Sequence, residues 1–141
     1  MRIACVSVVV ILIAITTIGC NSSKTIKVKG RLVKNGQPYI IGENEALRIF
    51  FVPENAPESS YESFSAVYDH SDGSFRVTGK DGQGMPPGNY RISLELRLNR
   101  SDQFHGEFSS KKSPLTCAID SSNQDVVIDL EQKKAYIAGG S

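Results

Sequence analysis

The sequence predicts an all-β protein, a single antiparallel β-sandwich of about seven short strands, preceded by the helix of a signal peptide. Apolar and polar residues alternate with period two in several segments, as in strands that are buried on one face. Turn-forming residues separate these segments roughly every 8 to 20 residues. No segment after the first 20 residues shows helical periodicity, so the folded domain is expected to consist of strands and loops.

The seven predicted strands are TIKVKGRLV, ALRIFFVP, SFSAVYD, SFRVTG, YRISLELRLN, PLTCAID and DVVIDLEQ. In the first strand Ile26, Val28 and Leu32 share one face. Gly30 lies on the same face, where the missing side chain leaves room for a bulge or for the close approach of a neighbouring chain. Asn35-Gly36 follows this strand and is a strong hairpin signal.

The second predicted strand carries apolar residues on both faces. Leu47, Ile49 and Phe51 point to one side, and Phe50 and Val52 point to the other. We therefore expect both of its faces to be partly covered.

The fifth predicted strand has the clearest alternation and begins at a Pro-Pro-Gly corner. Pro87 fixes φ near −65° and Gly88 permits a tight turn. Tyr90 is then expected to lie on the core while its hydroxyl bonds to backbone near Pro86, similar to a tyrosine corner. The corner is therefore predicted to be a structural hinge rather than a binding loop.

The first 20 residues resemble a bacterial lipoprotein signal. Arg2 is followed by an uncharged apolar run, which is too short for a bilayer core of about 30 Å and fits a signal peptide. The run ends in Thr17-Ile18-Gly19-Cys20, which is similar to a lipobox, a motif in which the Cys thiol is acylated with diacylglycerol and cleavage before the Cys leaves a lipidated N-terminus. The alternative is an ordinary signal peptide, or an uncleaved anchor, in which Cys20 has no role. The predicted organisation is a signal peptide at 1–19, a polar tether at 20–25 that starts with lipidated Cys20, a β-sandwich at 26–131 and a tail at 132–141.

Several motifs together resemble the transthyretin-like or carboxypeptidase-regulatory-like β-sandwich of small planctomycete-type lipoproteins. The matching stretches are VKGRLVKNGQP, IFFVPE, DHSDGSFRV, GMPPGNYRISL and KKSPLTCAID followed by QDVVIDL. The resemblance implies a Greek-key sandwich of seven strands, exported to the cell envelope, with no implied activity. Asn21 after Cys20, rather than Asp, favours the outer over the inner membrane.

Composition and motifs argue against an enzyme and against nucleic acid. The formal net charge is +1, without the concentrated basic face that nucleic acids require. Neither His70 nor His105 lies in a nucleophile motif. Hydroxyisourate hydrolases share the transthyretin-like fold, but the C-terminal Tyr-Arg-Gly-Ser of that family has no Arg here. We therefore expect no catalytic residues and no cofactor.

Metal binding and thiol chemistry are likewise not favoured. Asp69 and Asp72 flank an acidic turn that ends at Gly73, and such a turn offers about three oxygens where calcium takes six to eight. Weak calcium binding stays open, but the pattern favours a β-turn capped by the Asp side chains. Cys117 alternates with apolar residues and is expected to be a small buried side chain.

Two binding hypotheses remain for the predicted module. In the first, the loops Glu54–Glu62 and Arg100–Lys112 contact an envelope protein or a glycan, with Phe104, Phe108 and His105 as candidate binding residues. The alternative for the two Phe residues is that they fold down and cap the sandwich. In the second hypothesis, a partner strand pairs with an open edge of the sheet.

Overall fold

A computed structural model describes residues 24–57, 62–122 and 124–139. Within them the chain is all-β, with one 3₁₀ turn at Lys80–Gly82. Ten strands are present in this part of the chain: β1 Lys29–Lys34, β2 Gln37–Pro38, β3 Ala46–Pro53, β4 Phe64–Tyr68, β5 Ser74–Val77, β6 Gly88–Leu98, β7 Ser101–Asp102, β8 Thr116–Ile119, β9 Asp125–Asp129 and β10 Lys134–Ile137. The all-β prediction is confirmed at this level.

The strands form one mixed, curled sheet. The hydrogen-bonded order is β10-β9-β1-β5-β4-β3-β6-β7, with β2 added to β1 and β8 added to β6. All of these pairs are antiparallel except β1 and β9, which are parallel. The curl brings β8 close to β10, so the concave face encloses a single core.

The structure has more strands than the sequence predicted. Two-residue ladders form β2 and β7, and β10 pairs with β9 where a tail at 132–141 was expected. The parallel β1–β9 pair also departs from a purely antiparallel sheet. The seven predicted strands themselves are all present.

Alternation decides which side chains enter the core. On β6, Tyr90, Ile92, Leu94 and Leu96 are buried, while the residues between them are at least partly exposed. On β3, Ile49 and Phe51 are buried, and the predicted facing of both strands is confirmed.

Gly30 permits the closest packing in the core. A Cβ at this position would lie 2.2 Å from the carbonyl oxygen of Val126 and 2.4 Å from the ring of Phe75. Only glycine fits such a gap without displacement of the backbone of β9. The predicted close approach at Gly30 is confirmed.

The Asn35-Gly36 hairpin is also confirmed. Val33 and Lys34 of β1 pair with β2 across this two-residue turn. Asn35 and Gly36 have φ values of 53° and 73°, as a type I′ turn requires. The turn residues therefore fix the register of the hairpin.

The sheet has two ends, which the strand directions define. We call the end with Ile26, Pro53 and the Pro-Pro-Gly corner the entry end. Here the backbone of Ile26 exchanges two hydrogen bonds with Met85, at 2.8 and 3.0 Å. The opposite, distal end carries the Asn35-Gly36 turn and the loop from Asp69 to Gly73. Within the described residues, no helix is long and apolar enough to cross a membrane.

Candidate functional site

The Pro-Pro-Gly corner is a structural hinge that is held by a tyrosine. The hydroxyl of Tyr90 donates a 2.6 Å hydrogen bond to the carbonyl oxygen of Pro86. Burial, and secondarily the Glu62 carboxylate, raise the pKa of the Tyr90 hydroxyl, so the hydroxyl keeps the proton that it donates. The predicted tyrosine corner is confirmed.

The next residue, Arg91, lies on the opposite face of β6 and borders a groove. The groove is open, has a volume of about 780 Å³ and lies between the end of β3, the loop after it and the loop before β8. A volume in this range suits a small-molecule or peptide ligand.

Both charge signs meet in this groove. Arg91 and Lys111 supply cations, and Glu54 and Glu62 supply carboxylates. Among the described residues no carboxylate lies within 4.0 Å of the Arg91 guanidinium. The charges are therefore arranged around the groove without being paired to Arg91.

The Nε atom of Arg91 is buried and has no hydrogen-bond partner among the described residues. A buried N–H without an acceptor typically costs about 1–3 kcal/mol. Buried polar groups in folded proteins nearly always have a partner. The atom is closed to solvent, so a molecule in the groove would not contact it directly.

Apolar residues form the remaining walls. Val52, Pro53, Ala56 and Pro57 line the larger groove. A smaller groove of about 260 Å³ adjoins it, shares Pro53 and Glu62 with it, and reaches the Pro-Pro-Gly corner. The two grooves together form an extended trough at the entry end.

The structure brings together the two loops that the sequence singled out. The described part of Glu54–Glu62 and the end of Arg100–Lys112 meet across the larger groove, at Glu54 and Lys111. Arg91 was not selected from the sequence. A single Arg within an alternating strand carries no sequence signal, because its missing partner is a property of the tertiary structure.

Two of the three candidate binding residues of the loop Arg100–Lys112 lie in the core or pack against it. Phe108 is 2% exposed and belongs to the core. Phe104 packs against that core and meets Phe108 edge to face, at 5.1 Å between ring centroids. The two rings cap the sheet, so Phe108 is not accessible to a partner from solvent. His105 is exposed at the loop tip with a φ of 50°.

Asp102 organises this loop. Its carboxylate accepts hydrogen bonds from the backbone N–H groups of Leu96, Phe104 and Gly106, at 2.8–3.2 Å. These bonds hold the start of the loop against β6. Asp102 was not predicted from the sequence, although an Asp two residues before the amide that it caps is a common turn signal.

The carboxylates of the acidic turn accept hydrogen bonds from neighbouring residues of the same turn. One oxygen of Asp69 accepts hydrogen bonds from the backbone N–H and the hydroxyl of Ser71, and these bonds lower the pKa of Asp69. Asp72 accepts from the backbone N–H of Ser74, and Gly73 has a φ of 75°. The predicted Asp-capped turn is confirmed. No group of three or more potential metal ligands occurs in residues 24–57, 62–122 and 124–139.

Cys117 is a buried thiol, as predicted. It is 8% exposed and lies opposite Tyr90 in the β6–β8 ladder. Burial raises the pKa of the thiol to about 11, so little thiolate is present near neutral pH. Cys20 lies outside the described residues.

The chain matches no protein-family model, no curated protein and no solved structure. The trough at the entry end is therefore interpreted from its own geometry and chemistry.

Proposed function

We propose that this protein is a lipid-anchored, non-enzymatic binding module of the cell envelope. Cys20 would carry the acyl chains, including palmitate, and the β-domain would face the periplasm, on the outer membrane rather than the inner. The fold is proposed to be a Greek-key sandwich of the transthyretin-like or carboxypeptidase-regulatory-like kind, in which seven main strands carry additional short ladders.

The observation that carries the proposal is the short distance along the chain between the lipobox-like motif and the folded sheet. Ile26, six residues after Cys20, is buried and bridges to Met85. Six residues span at most about 20 Å. A lipid on Cys20 would therefore hold the entry end, and with it the trough, close to the membrane surface.

Lipid attachment would be sufficient for stable anchoring. Each buried CH₂ contributes about 0.8 kcal/mol, and two or more chains are needed for a lasting anchor. A diacylglycerol on Cys20 supplies two chains. The module then needs no membrane span in its folded domain.

Binding, rather than catalysis, is supported by what the trough contains. It combines two cations, two carboxylates and proline-rich walls, a set that suits recognition of a ligand. His70 packs its ring edge to face with Tyr68, 5.3 Å away. His70 is thus at the distal end, away from the trough, and cannot serve it as a general base.

Replacement of Cys20 by Ala tests the anchor. The wild-type protein should carry acyl chains by mass spectrometry and fractionate with membranes. Cys20→Ala should lose the lipid mass and leave the membrane fraction. A Cys5→Ala control should behave as wild type, because Cys5 lies within the segment that is removed. Retention of Cys20→Ala in membranes at the normal mature mass would contradict the proposal.

A further inference from the structure

We propose that the outer face of β1 and β5 docks on an anionic membrane surface, with Lys27, Lys29 and Arg76 toward the lipid phosphates. We call these three residues, together with Val67, the cationic face. The inference rests on the membrane placement in the proposed function. It goes beyond that placement by naming the face of the sheet that meets the membrane and the lipid charge that this face prefers.

The sheet register places the three cations together on one face. Lys27 and Lys29 alternate with the buried residues Ile26 and Val28, so both point outward. Lys29 lies directly opposite Arg76 in the antiparallel β1–β5 ladder, and all three cationic residues are exposed. Like charges directly opposite each other destabilise a sheet. An anionic surface would relieve the repulsion between Lys29 and Arg76.

The described part of the chain does not pair these cations with carboxylates. Among the described residues, no carboxylate oxygen lies within 4.0 Å of any of the three charged groups. Two Asp residues border this face, Asp125 opposite Lys29 on β9 and Asp69 beside the start of β5. Asp125 accepts a 2.8 Å hydrogen bond from Arg31, and Asp69 accepts hydrogen bonds from Ser71. The cationic face therefore keeps a positive field that attracts anions.

An exposed apolar side chain lies beside the cations. Val67 is 55% exposed and is directly opposite Arg76 in the β4–β5 ladder. Surfaces that lie in the headgroup region of a bilayer combine cations with apolar side chains in this way. Val67 would enter the headgroup layer while Arg76 contacts the phosphates.

The position of the cationic face along the chain favours a membrane over a soluble polyanion. Lys27 is seven residues after Cys20, and seven residues span at most about 25 Å. A chain anchored through residues 1–20, by acyl groups or by an uncleaved apolar run, holds this face near the headgroups. Each Lys or Arg that reaches an anionic surface strengthens binding about fivefold, so three cations together contribute about a hundredfold.

Acetylation of lysines on vesicles tests the assignment. The full-length chain is inserted from detergent into preformed phosphatidylcholine vesicles, without or with about 30% phosphatidylglycerol. A membrane-impermeant reagent acetylates it, and peptide mass spectrometry gives the rate at each lysine. On the anionic vesicles Lys27 and Lys29 should react at least about threefold more slowly than on the neutral ones at about 0.05 M salt, and this protection should disappear at about 0.5 M. Lys34 and Lys134, exposed near the distal end, should react equally on both.

A matched pair of variants locates the contact. Arg76→Gln removes one charge of the cationic face, so the protection of Lys29 on anionic vesicles should fall at least about twofold. Arg100→Gln removes an exposed arginine from the turn after β6 and should leave the protection as in the wild type. Without vesicles, Arg76→Gln should melt at or above the wild-type temperature, because it removes the like-charge pair with Lys29.

Three outcomes would overturn the proposal: equal acetylation of Lys27 and Lys29 on the two kinds of vesicle, protection that persists at high salt, and unchanged protection in Arg76→Gln. Protection by soluble polygalacturonate but not by phosphatidylglycerol would overturn the lipid assignment in favour of an anionic glycan. The mass of the Cys20 peptide, measured on the same preparation, reports separately on lipidation. A lipidated chain with equal acetylation contradicts the cationic face alone, and an unlipidated chain with protected lysines contradicts the acyl anchor alone.

Discussion

The two faces of β6 differ in whether their polar side chains have hydrogen-bond partners. Tyr90 points inward, and its hydroxyl has an acceptor at 2.6 Å. Arg91 points outward, and its buried Nε has none among the described residues. The polar group on the inner face is thus satisfied within the protein, whereas the Nε on the outer face has no partner among the described residues. The hinge and the candidate site differ more clearly in whether their polar groups have hydrogen-bond partners than in how exposed they are.

The largest effect on stability is expected when a larger side chain is placed in the tightly packed core. Gly30→Val should lower the free energy of unfolding by about 3 kcal/mol, because the new side chain must displace the ring of Phe75 or the backbone at Val126. Chemical denaturation measures this change. Val67→Ala, an exposed position on the outer face, is the control and should alter stability by less than about 0.5 kcal/mol. A stable Gly30→Val variant would show that the core is looser than the contacts imply.

Removal of the tyrosine hydroxyl should have a smaller effect. Tyr90→Phe should cost about 1 kcal/mol, because the hydrogen bond to Pro86 is lost while the ring still packs. Tyr68→Phe is an informative comparison, since its hydroxyl donates to the carbonyl oxygen of Tyr39 at 2.8 Å and is also partly buried. If Tyr90→Phe melts at the wild-type temperature, the corner does not stabilise the fold.

On the outer face of β6, removal of the polar group is not expected to lower the free energy of unfolding. Arg91→Met should leave the free energy of unfolding unchanged or raise it by up to about 1 kcal/mol, because it removes an N–H group that is buried without a partner. Chemical denaturation measures this effect. A loss of more than about 1 kcal/mol would mean that Arg91 has a structural role, and the contrast between the two faces would fail.

At neutral pH the smallest effect on stability should come from the thiol of Cys117, whose contribution changes only at alkaline pH. Burial raises its pKa to about 11 from a reference of 9.0. The folded state therefore holds the proton more tightly than the unfolded state, and this stabilisation is complete below pH 9 and is lost as the pH rises toward 11.

Two measurements check this behaviour. Wild type should lose more stability than Cys117→Val between pH 8.5 and 10.5, and native Cys117 should be alkylated slowly near pH 8, as followed by peptide mass spectrometry. Fast alkylation of the native protein would contradict the burial of this thiol.

The predictable parts of the fold depend on local patterns. Tyr90 and Ile92 alternate with polar residues, and the period alone gives their facing. β7 was missed because its turn, Asn99-Arg100, has positive φ values of 51° and 71° without glycine. β10 was missed because two of its residues are exposed and it depends on pairing with β9.

The sequence by itself determined the strand class, the Asn35-Gly36 turn, the tyrosine corner, and which residues of β3 and β6 enter the core. These features follow from side-chain periodicity and backbone preference, which act over a few residues. Only the tertiary structure decided that β9 lies parallel to β1 and that Glu54, Lys111 and Arg91 line one groove. Both depend on which distant segments approach each other, so the missing partner of Arg91 appears only when the sheet is curled and its loops are in place.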